Sequence, residues 1–493
     1  MKGSRQGFVR AVLFLSAAGA VVACSGGSGD ANAVDTRGDP GVQAEGVADD
    51  EILDTASVDA DLLASPEDTE PVGPKVEVLP LVIEFWGVKV GTAGGIEVRI
   101  GSAGTEAAVV TGIAVVPLDG ATGFGLYLGG LPGGVAPTVA HPMSLETGAG
   151  VTLRVTFTPD MTSLRDAAGQ YIRDRATLKV TLAQGASVEI PLSGFGVASL
   201  CPQPVLDMAE VGPVLPQAVI HLDGHRSVAV GGPLVSQVWS VEQPAQNRFL
   251  LIPGKTDLDV THEANVAGDY RYRLDVCDAN LCSDDPACGT TVFQELKAAP
   301  TQTIHCELTW DTPDDTDQFD EGPGMGADLD FHFADSFAQG PDLDGDGLPD
   351  GWFDIPYDTF WYNKNPEWAV PNPNINDNPS LDRDDTDGSG PENLNLMIPQ
   401  ADHVYRIGVH YWDDHGFGAS FPRVRCFIEG TLALDVRLEN GGIGMAKCDL
   451  WEAAAIEWPA KVAKAVTRQD GSPKVTPRYM NDAFVVVGGQ FCP

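Results

Sequence analysis

Short runs of alternating apolar and polar residues, separated by glycine-containing turns, constrain the fold of this chain more than any other feature. The clearest run is Val151–Phe157, in which every second residue is apolar and would lie on one face of a strand. Long helical patterns are scarce, and the 56 glycines and 36 prolines follow no collagen-like period. The pattern predicts an all-β chain of many short strands joined by turns.

The net charge of the chain limits the classes of partner that it can bind. Its 493 residues carry a formal net charge of −40, which would repel nucleic acid and anionic lipid surfaces. Such acidity is typical of a secreted or surface protein that collects calcium. The length is sufficient for about three or four domains.

The N-terminus predicts the compartment. Three basic residues, Lys2, Arg5 and Arg10, precede an apolar run at 11–23. This run is too short to span a bilayer, as in a signal peptide. The run ends in Val-Val-Ala-Cys, which resembles the bacterial lipobox. That resemblance implies that residues 1–23 are removed and that Cys24 becomes a lipidated N-terminus, held in the membrane by its acyl chains. The alternative is an ordinary signal peptide that carries a cysteine.

Residues 24–74 have no hydrophobic period and are rich in Asp, Glu, Ala, Gly, Ser and Thr. Such a segment buries too little apolar surface to offset the entropy of ordering, so we expect a disordered acidic tether. Ser25 after Cys24 favours sorting to the outer membrane.

Eight cysteines remain after Cys24. Because their number is even and the expected compartment is oxidising, we predict structural disulfides, and the sequence contains no Cys-x-x-Cys pair that would favour zinc. Their clustering predicts that the first four pair among themselves and that the last four do likewise. The eight are Cys201, Cys277, Cys282, Cys288, Cys306, Cys426, Cys448 and Cys492.

Residues 75–199 contain about seven strand-like runs, which fits an antiparallel sandwich. Phe85-Trp86-Gly87, Phe157-Thr158-Pro159 and the ending Ile190–Gly196 resemble the immunoglobulin-like domains of the ASPM/SPD-2/hydin type. The resemblance implies a spacer or protein-contact domain without catalysis.

Residues 200–298 predict a second sandwich. A Leu-Asp-Gly turn at 222–224 with Ser227, a tryptophan at 239 and Gly268-Asp269-Tyr270 resemble the PKD domain in the expected order. We expect Trp239 to be the large core residue and Gly268 to form a tight turn before a strand.

Residues 299–493 predict a third sandwich. Strand alternation at 327–333 directs Leu329, Phe331 and Phe333 to the core and places Asp328, Asp330 and His332 on the opposite face. Asp328–His332, Thr386–Asn393 and Gly408–Tyr411 resemble a family of bacterial secreted β-sandwich domains with an Asp-Leu-Asp-Leu-His strand and a Thr-Asp-Gly-x-Gly-Pro-Glu loop. The resemblance identifies a domain type and no reaction.

The first candidate metal site is an Asp-x-Asp-x-Asp-Gly-x-x-Asp loop. Alternate carboxylates and one backbone carbonyl would converge on Ca²⁺, as in the first part of an EF-hand, although Phe353 replaces the final Glu. A solvated turn is the alternative. The proposed ligands are Asp342, Asp344, Asp346, Asp350 and the carbonyl of Leu348.

The second candidate metal site is less regular. Strand and loop carboxylates could converge here on a second Ca²⁺, and simple surface acidity is the alternative. Its proposed members are Asp328, Asp330, Asp382, Asp384, Asp385 and Asp387, with Glu392 nearby.

Other patterns favour a protein without catalysis. The zinc-protease motif that His262-Glu263 begins lacks its second His, and we interpret His332 and His410 as strand residues satisfied by neighbours. The carboxylate pairs of a glycosidase are present, but they lie in Gly/Asp loops typical of calcium binding. The aromatic residues Trp352, Trp361, Tyr362 and Trp368 offer a possible sugar-stacking platform.

The sequence thus predicts three tandem antiparallel, immunoglobulin-like β-sandwich domains after a disordered tether, anchored through Cys24 in a bacterial cell envelope. We expect a calcium-binding adhesion or interaction protein whose partner is the membrane and a surface protein or glycan, and not nucleic acid. The alternative is a glycan-binding module of a polysaccharide or matrix system. A hydrolase is the third hypothesis.

Overall fold

The computed structural model describes residues 73–318 and 326–479, apart from Pro341, Leu343, Asp344, Asp346, Pro373, Asp387, Asn440 and Gly441. The predicted signal peptide, Cys24, the tether up to residue 72 and Cys492 lie outside these residues. Within them the secondary structure is almost entirely β, with one 3₁₀ turn at Pro132–Gly134, which confirms the all-β prediction. No helix in this part of the chain is long and apolar enough to cross a membrane.

The first sandwich packs a four-stranded sheet, β1-β3-β7-β5, on a five-stranded sheet, β2-β9-β8-β4-β6. The alternation that predicted β7 buries Leu153, Val155 and Phe157 between the sheets. The pairing of β2 with β9 is parallel, unlike the antiparallel pairing that we expected throughout. These two strands are far apart in sequence, so no tight turn constrains their direction. The strands are β1 Val76–Leu79, β2 Ile83–Lys89, β3 Gly94–Ser102, β4 Ala108–Leu118, β5 Phe124–Tyr127, β6 Met143–Leu145, β7 Gly150–Phe157, β8 Asp174–Leu182 and β9 Ser187–Val197.

The second sandwich has two three-stranded sheets, β10-β11-β13 and β12-β14-β15. Trp239 is buried in its core, as predicted, and its indole N–H donates to the carbonyl of Asp257 at 2.7 Å. The hydroxyl of Ser227 accepts the N–H of Val205 at 3.0 Å. The strands are β10 Asp207–Met208, β11 Ala218–Asp223, β12 Leu234–Glu242, β13 Asp259–Ala264, β14 Gly268–Asp278 and β15 Val292–Ala298.

The third sandwich packs the sheet β19-β20-β16-β22-β23 on the sheet β18-β17-β21-β24-β25, and β26 pairs with β24. Leu329, Phe331 and Phe333 of β17 lie in the core between the sheets, as the alternation predicted. The strands are β16 Ile304–Asp311, β17 Asp328–Ala334, β18 Asp358–Thr359, β19 Pro379–Leu381, β20 Glu392–Leu396, β21 Val404–Asp413, β22 Phe421–Ile428, β23 Thr431–Arg437, β24 Leu450–Glu457, β25 Val462–Ala465 and β26 Lys474–Thr476.

The opposite face of β17 is also covered, so every residue of this strand is buried. Aromatic residues of the connection between β17 and β19 pack there, with Trp352, Phe353 and Phe360 around His332. The carboxylates of this face therefore lie in a protein interior, where an unpaired charge is energetically unfavourable.

Among the residues that the structure describes, three disulfides follow the predicted clustering. Cys201–Cys288 and Cys277–Cys282 lie in the second sandwich. Cys306–Cys426 joins residues that face each other on the neighbouring strands β16 and β22.

The second and third sandwiches contact each other through Glu307 on β16. Its side chain is 1% exposed, and it accepts the N–H of Ala267 at 2.5 Å and a hydrogen bond from the guanidinium of Arg425. The same guanidinium donates to the carbonyl of Ala267 at 3.0 Å. The domain boundaries at 75, 200 and 299 stay predictions.

Candidate metal centre

Three carboxylates converge where β17 of one sheet meets β20 of the other. Asp330, Asp384 and Glu392 each contribute one oxygen atom, and these atoms all lie within 4.8 Å of one another. Glu392 is fixed because its two oxygens accept the N–H groups of Phe331 at 2.7 Å and Asp385 at 3.2 Å. The position of the glutamate thus follows from two backbone donors on separate elements.

Burial makes this concentration of carboxylates costly. Asp330 is 3% exposed and Glu392 is fully buried. Burial raises the pKa of Asp330 well above its usual range, and the charges of Asp328 and Asp384 raise it further. Burial likewise raises the pKa of Glu392, and the charges of Asp330 and Asp384 add to the effect. The site favours any positive charge, a proton or a metal cation, that neutralises these groups.

One cation of the chain already lies beside the cluster. The ammonium of Lys364 contacts Asp384 Oδ2 at 3.0 Å, with 41% of its side chain exposed. It faces the one member of the cluster that is only partly buried. Sequence reasoning missed this residue, although it is the only Lys or Arg between Lys297 and Arg383.

His410 on β21 lies next to Asp330 of the cluster. Its Nε2 hydrogen bonds to the carbonyl of Tyr479 at 3.2 Å, and since a carbonyl can only accept, Nε2 is the donor. Burial, together with the nearby His332, lowers the pKa of His410 to about 3. Neutral His410 therefore presents Nδ1 as an acceptor.

That acceptor faces another acceptor. His410 Nδ1 lies 4.0 Å from Asp330 Oδ2, and neither atom has a hydrogen-bond partner among the residues that the structure describes. Two buried acceptors without a donor are unfavourable. A proton on Asp330 or a cation beside it would relieve the conflict.

The other residues predicted for this site have different roles. Asp328 lies two positions from Asp330 on the same face of β17, and its charge acts on both raised carboxyls. Asp382 accepts hydrogen bonds from Ser380 Oγ at 2.9 Å and from the amide of Asn395. Asp385 accepts the N–H of Gly390 at 2.7 Å, which closes its own loop. The structure therefore brings Asp330 and Asp384 together with Glu392, and Asp387 lies outside the described residues.

The Asp342 loop is described in part. Asp342 Oδ1 accepts the N–H of Gly345 at 2.8 Å, and Oδ2 accepts that of Gly347 at 2.9 Å. Gly347 has φ +88°, a left-handed conformation suited to the sharp turn that we expected there. Leu348 is exposed and Asp350 is buried. Asp344 and Asp346 lie outside the described residues, so calcium binding by this loop stays a prediction.

His332 belongs to a separate buried pair. Its Nδ1 lies 2.7 Å from Asp358 Oδ2, which also accepts the N–H of Phe353 at 2.6 Å. Both side chains are fully buried. His332 is therefore a strand residue that hydrogen bonds to a neighbour, as we expected.

The aromatic residues do not form the open platform that we considered. Trp352 is buried against the face of β17, and Trp368 is stacked on Phe333 and Tyr405 in the core. Tyr362 is 60% exposed. Two of the four rings are therefore core residues, because the long connection between β17 and β19 needs its own apolar contacts to cover the sheet.

A second group of potential ligands lies on the surface of the second sandwich. His225 Nδ1 is 2.9 Å from Asp223 Oδ1 and 3.1 Å from Asp259 Oδ1. The hydrogen bond with Asp223 raises the pKa of His225. A shared proton accounts for this exposed arrangement.

Comparisons with known proteins give remote structural likenesses. No protein-family profile matches the chain, and no curated protein matches it. The chain is similar to an ASH or PapD-like domain of human CEP192, at 17% identity over 29% of this chain and 99% of that one, with a TM-score of 0.19. It is also similar to cadherin domains 1–4 of protocadherin gamma B7, at 9% identity over 74% of this chain and 76% of that one, with a TM-score of 0.23. A third similar structure is the adhesin InvE of Yersinia pseudotuberculosis, at 11% identity over 47% of this chain and 60% of that one, with a TM-score of 0.19. With TM-scores of 0.19, 0.23 and 0.19, these likenesses carry no conclusion about function.

Proposed function

We propose that this chain is a lipid-anchored, calcium-binding adhesion or interaction protein of a bacterial cell envelope, without catalysis. The observation that carries the calcium assignment is the buried carboxylate of Asp330. Its Oδ2 has no hydrogen bond among the described residues, and the residue lies in one cluster with Asp384 and Glu392. Three carboxylates supply oxygen ligands only, which hard divalent cations prefer.

Calcium and protons compete for this cluster. Burial and neighbouring charge raise the pKa values of Asp330 and Glu392, so protons compete with a metal cation for both carboxylates. Calcium binds the deprotonated groups, so its binding releases protons and becomes tighter as pH rises. Extracellular calcium modules bind with dissociation constants in the millimolar range or below, which suits a site outside the cell.

The anchoring part of the proposal depends on the N-terminus. Lipidation of Cys24 would hold the β-sandwiches at the membrane, since each buried methylene of an acyl chain contributes about 0.8 kcal/mol. The acidic tether would keep them clear of the surface. The partner on another surface is a protein or a glycan. The net charge of −40 would repel nucleic acid.

The first test is calcium titration calorimetry of the purified protein, with thermal melting in calcium and in chelator. We expect saturable binding and a higher melting temperature in calcium, because a ligand of the folded state stabilises that state. The double substitution Asp330→Asn and Glu392→Gln should remove one class of bound calcium. Asp119→Asn is the control, because that exposed carboxylate pairs with Arg175 in the first sandwich.

The Asp342 loop needs its own arm of the experiment. Asp342→Asn should remove a calcium ion only if the loop binds one. Wild-type stoichiometry in the Asp330 and Glu392 double variant would contradict a calcium site between β17 and β20. For the anchor, Cys24→Ser should shift the protein from the membrane fraction to the soluble fraction, and unchanged fractionation would contradict lipidation.

A further inference from the structure

A cavity of about 210 Å³ lies between the second and third sandwiches. The second sandwich contributes Ala245, Gln246 and Arg248 to its wall, and the third contributes residues of β16, β22 and β23 and their flanks. It is separate from the carboxylate cluster, and none of the proposed calcium ligands lines it. At about 30 Å³ for each water of the liquid, its volume equals that of about seven waters.

Trp310 supplies a buried donor without an acceptor. The residue lies on β16, lines the cavity and is 3% exposed. Its indole N–H has no hydrogen-bond partner in the described part of the chain. Trp361 and Trp451 share this property, but neither lines the cavity. A buried donor left without a partner is destabilising by about 1–3 kcal/mol, so an acceptor in the cavity would be favoured.

Three guanidinium groups surround the same cavity. Arg248 contacts Asp311 Oδ1 at 3.3 Å, and Arg437 Nε contacts Glu439 Oε1 at 2.8 Å. Arg423 is held by Asp435, and its Nε lies 2.7 Å from Asp435 Oδ1. Each guanidinium has five N–H donors, and these contacts use only some of them.

Arginines outnumber carboxylates in the cavity lining, although the chain as a whole is very acidic. Its three guanidinium groups are accompanied by the carboxylates of Asp311 and Glu439. The ion pairs fix the arginine side chains, which lowers the entropy lost when they bind a ligand. Such held forks match the planar geometry of a carboxylate.

An aromatic wall completes the cavity. Phe421 and Trp310 both line it, together with the polar residues Ser389 and Thr309. A ring with hydroxyl groups and one carboxylate would use the apolar wall, the indole N–H and the guanidinium donors together. We propose that this cavity binds a small carboxylate ligand of monosaccharide size, such as a uronic acid.

The test is titration calorimetry of the full purified protein in a calcium-containing buffer, with D-glucuronate, D-glucose and acetate as probes. We expect saturable binding of glucuronate and binding of glucose that is weaker by about tenfold or more, because charge-assisted hydrogen bonds are lost. Glucuronate that binds more tightly than acetate would identify a sugar acid, and equal binding would identify small carboxylates in general. Glucose that binds as well as glucuronate, or no saturable binding of either acid up to tens of millimolar, would overturn the proposal.

Substitutions locate the binding. Arg437→Gln should weaken glucuronate binding by about tenfold, and with 54% of its side chain exposed the change leaves the fold intact. Arg175→Gln is the matched control, since this exposed arginine pairs with Asp119 in the first sandwich. Trp310→Phe retains the ring and removes the N–H donor, and it should weaken binding in the same direction. Wild-type affinity of Arg437→Gln would overturn the assignment to this cavity. Calcium binding should be unchanged in that variant.

Discussion

Glu392 Oε2 accepts the backbone N–H of Phe331 at 2.7 Å, and this hydrogen bond joins β20 of one sheet of the third sandwich to β17 of the other. The bond places the glutamate beside the edge of β17, next to the carboxylate of Asp330. It partly compensates the full burial of this glutamate, since a carboxylate that accepts backbone N–H groups is stabilised. The same bond brings the negative charge into the cluster that we propose to bind calcium.

The cluster should respond to neutralisation in opposite ways with and without calcium. In chelator, Asp330→Asn should raise the free energy of unfolding by about 1 kcal/mol, because it removes a buried acid that must either bind a proton or carry an unfavourable charge. In saturating calcium the same substitution should lower the melting temperature relative to wild type. Differential scanning calorimetry in the two buffers measures both effects. A loss of stability of equal size in both buffers would indicate a purely structural aspartate.

Acid should destabilise the second sandwich through His262. This residue is buried on β13, its Nδ1 lies 3.0 Å from the hydroxyl of Tyr272, and burial lowers its pKa to about 4. Because the folded state binds the proton less readily than the unfolded state, the stability is fully present above pH 6.5 and is lost as pH falls towards 4. The contribution amounts to roughly 3 kcal/mol over that window.

Chemical denaturation at a series of pH values, compared between wild type and His262→Gln, measures this contribution. The difference between the two proteins should change by about 2 kcal/mol between pH 7 and pH 5. A difference that does not depend on pH would contradict a neutral buried histidine.

Alternation predicted strands such as β7 and β17, because one face of each packs in the core of its sandwich. It placed Leu329, Phe331 and Phe333 in the core and, by the same period, Asp328 and Asp330 on the other face. It could not show that this second face is buried as well. The aromatic residues that cover it, such as Trp352, have no strand period and could equally have formed an exposed platform.

The sequence named the three carboxylates of the cluster, but it also named Asp382 and Asp385, whose side chains hydrogen bond to other groups. Glu392 and Asp384 follow one another closely in an acidic loop, but their approach to Asp330 depends on the packing of two sheets. Lys364 could have been noticed in the sequence, because it is an isolated basic residue among acidic ones. Composition alone could not show that its ammonium contacts Asp384. No sequence pattern predicted the cavity beside Trp310, because its arginines come from strands and a loop of two different sandwiches.

The disulfides should differ in their effect on stability. Cys306–Cys426 spans 120 residues and Cys277–Cys282 spans 5. In the chain-entropy description, the longer loop constrains the unfolded state by about 5 kcal/mol and the shorter by about 2 kcal/mol. Replacement of each cysteine pair by alanine, followed by urea denaturation, measures the two contributions. Equal losses would show that loop entropy does not determine the stabilisation.

The contact between the second and third sandwiches should depend on the buried charge of Glu307. Glu307→Gln leaves Arg425 partly buried without its carboxylate, and breaking such a pair lowers the free energy of unfolding by about 3–5 kcal/mol. The control is Glu429→Gln, because the Glu429–Lys461 pair is largely exposed and contributes at most about 1 kcal/mol.

Denaturation followed by limited proteolysis separates two consequences of this change. Since Glu307 also accepts the N–H of Ala267, its loss should expose the junction to protease before either sandwich unfolds. Cleavage near residues 299–303 at denaturant concentrations that leave wild type intact is the expected result. Proteolysis of Glu307→Gln that matches the Glu429→Gln control would show that the two sandwiches are held together by other contacts, such as the Arg248–Asp311 ion pair.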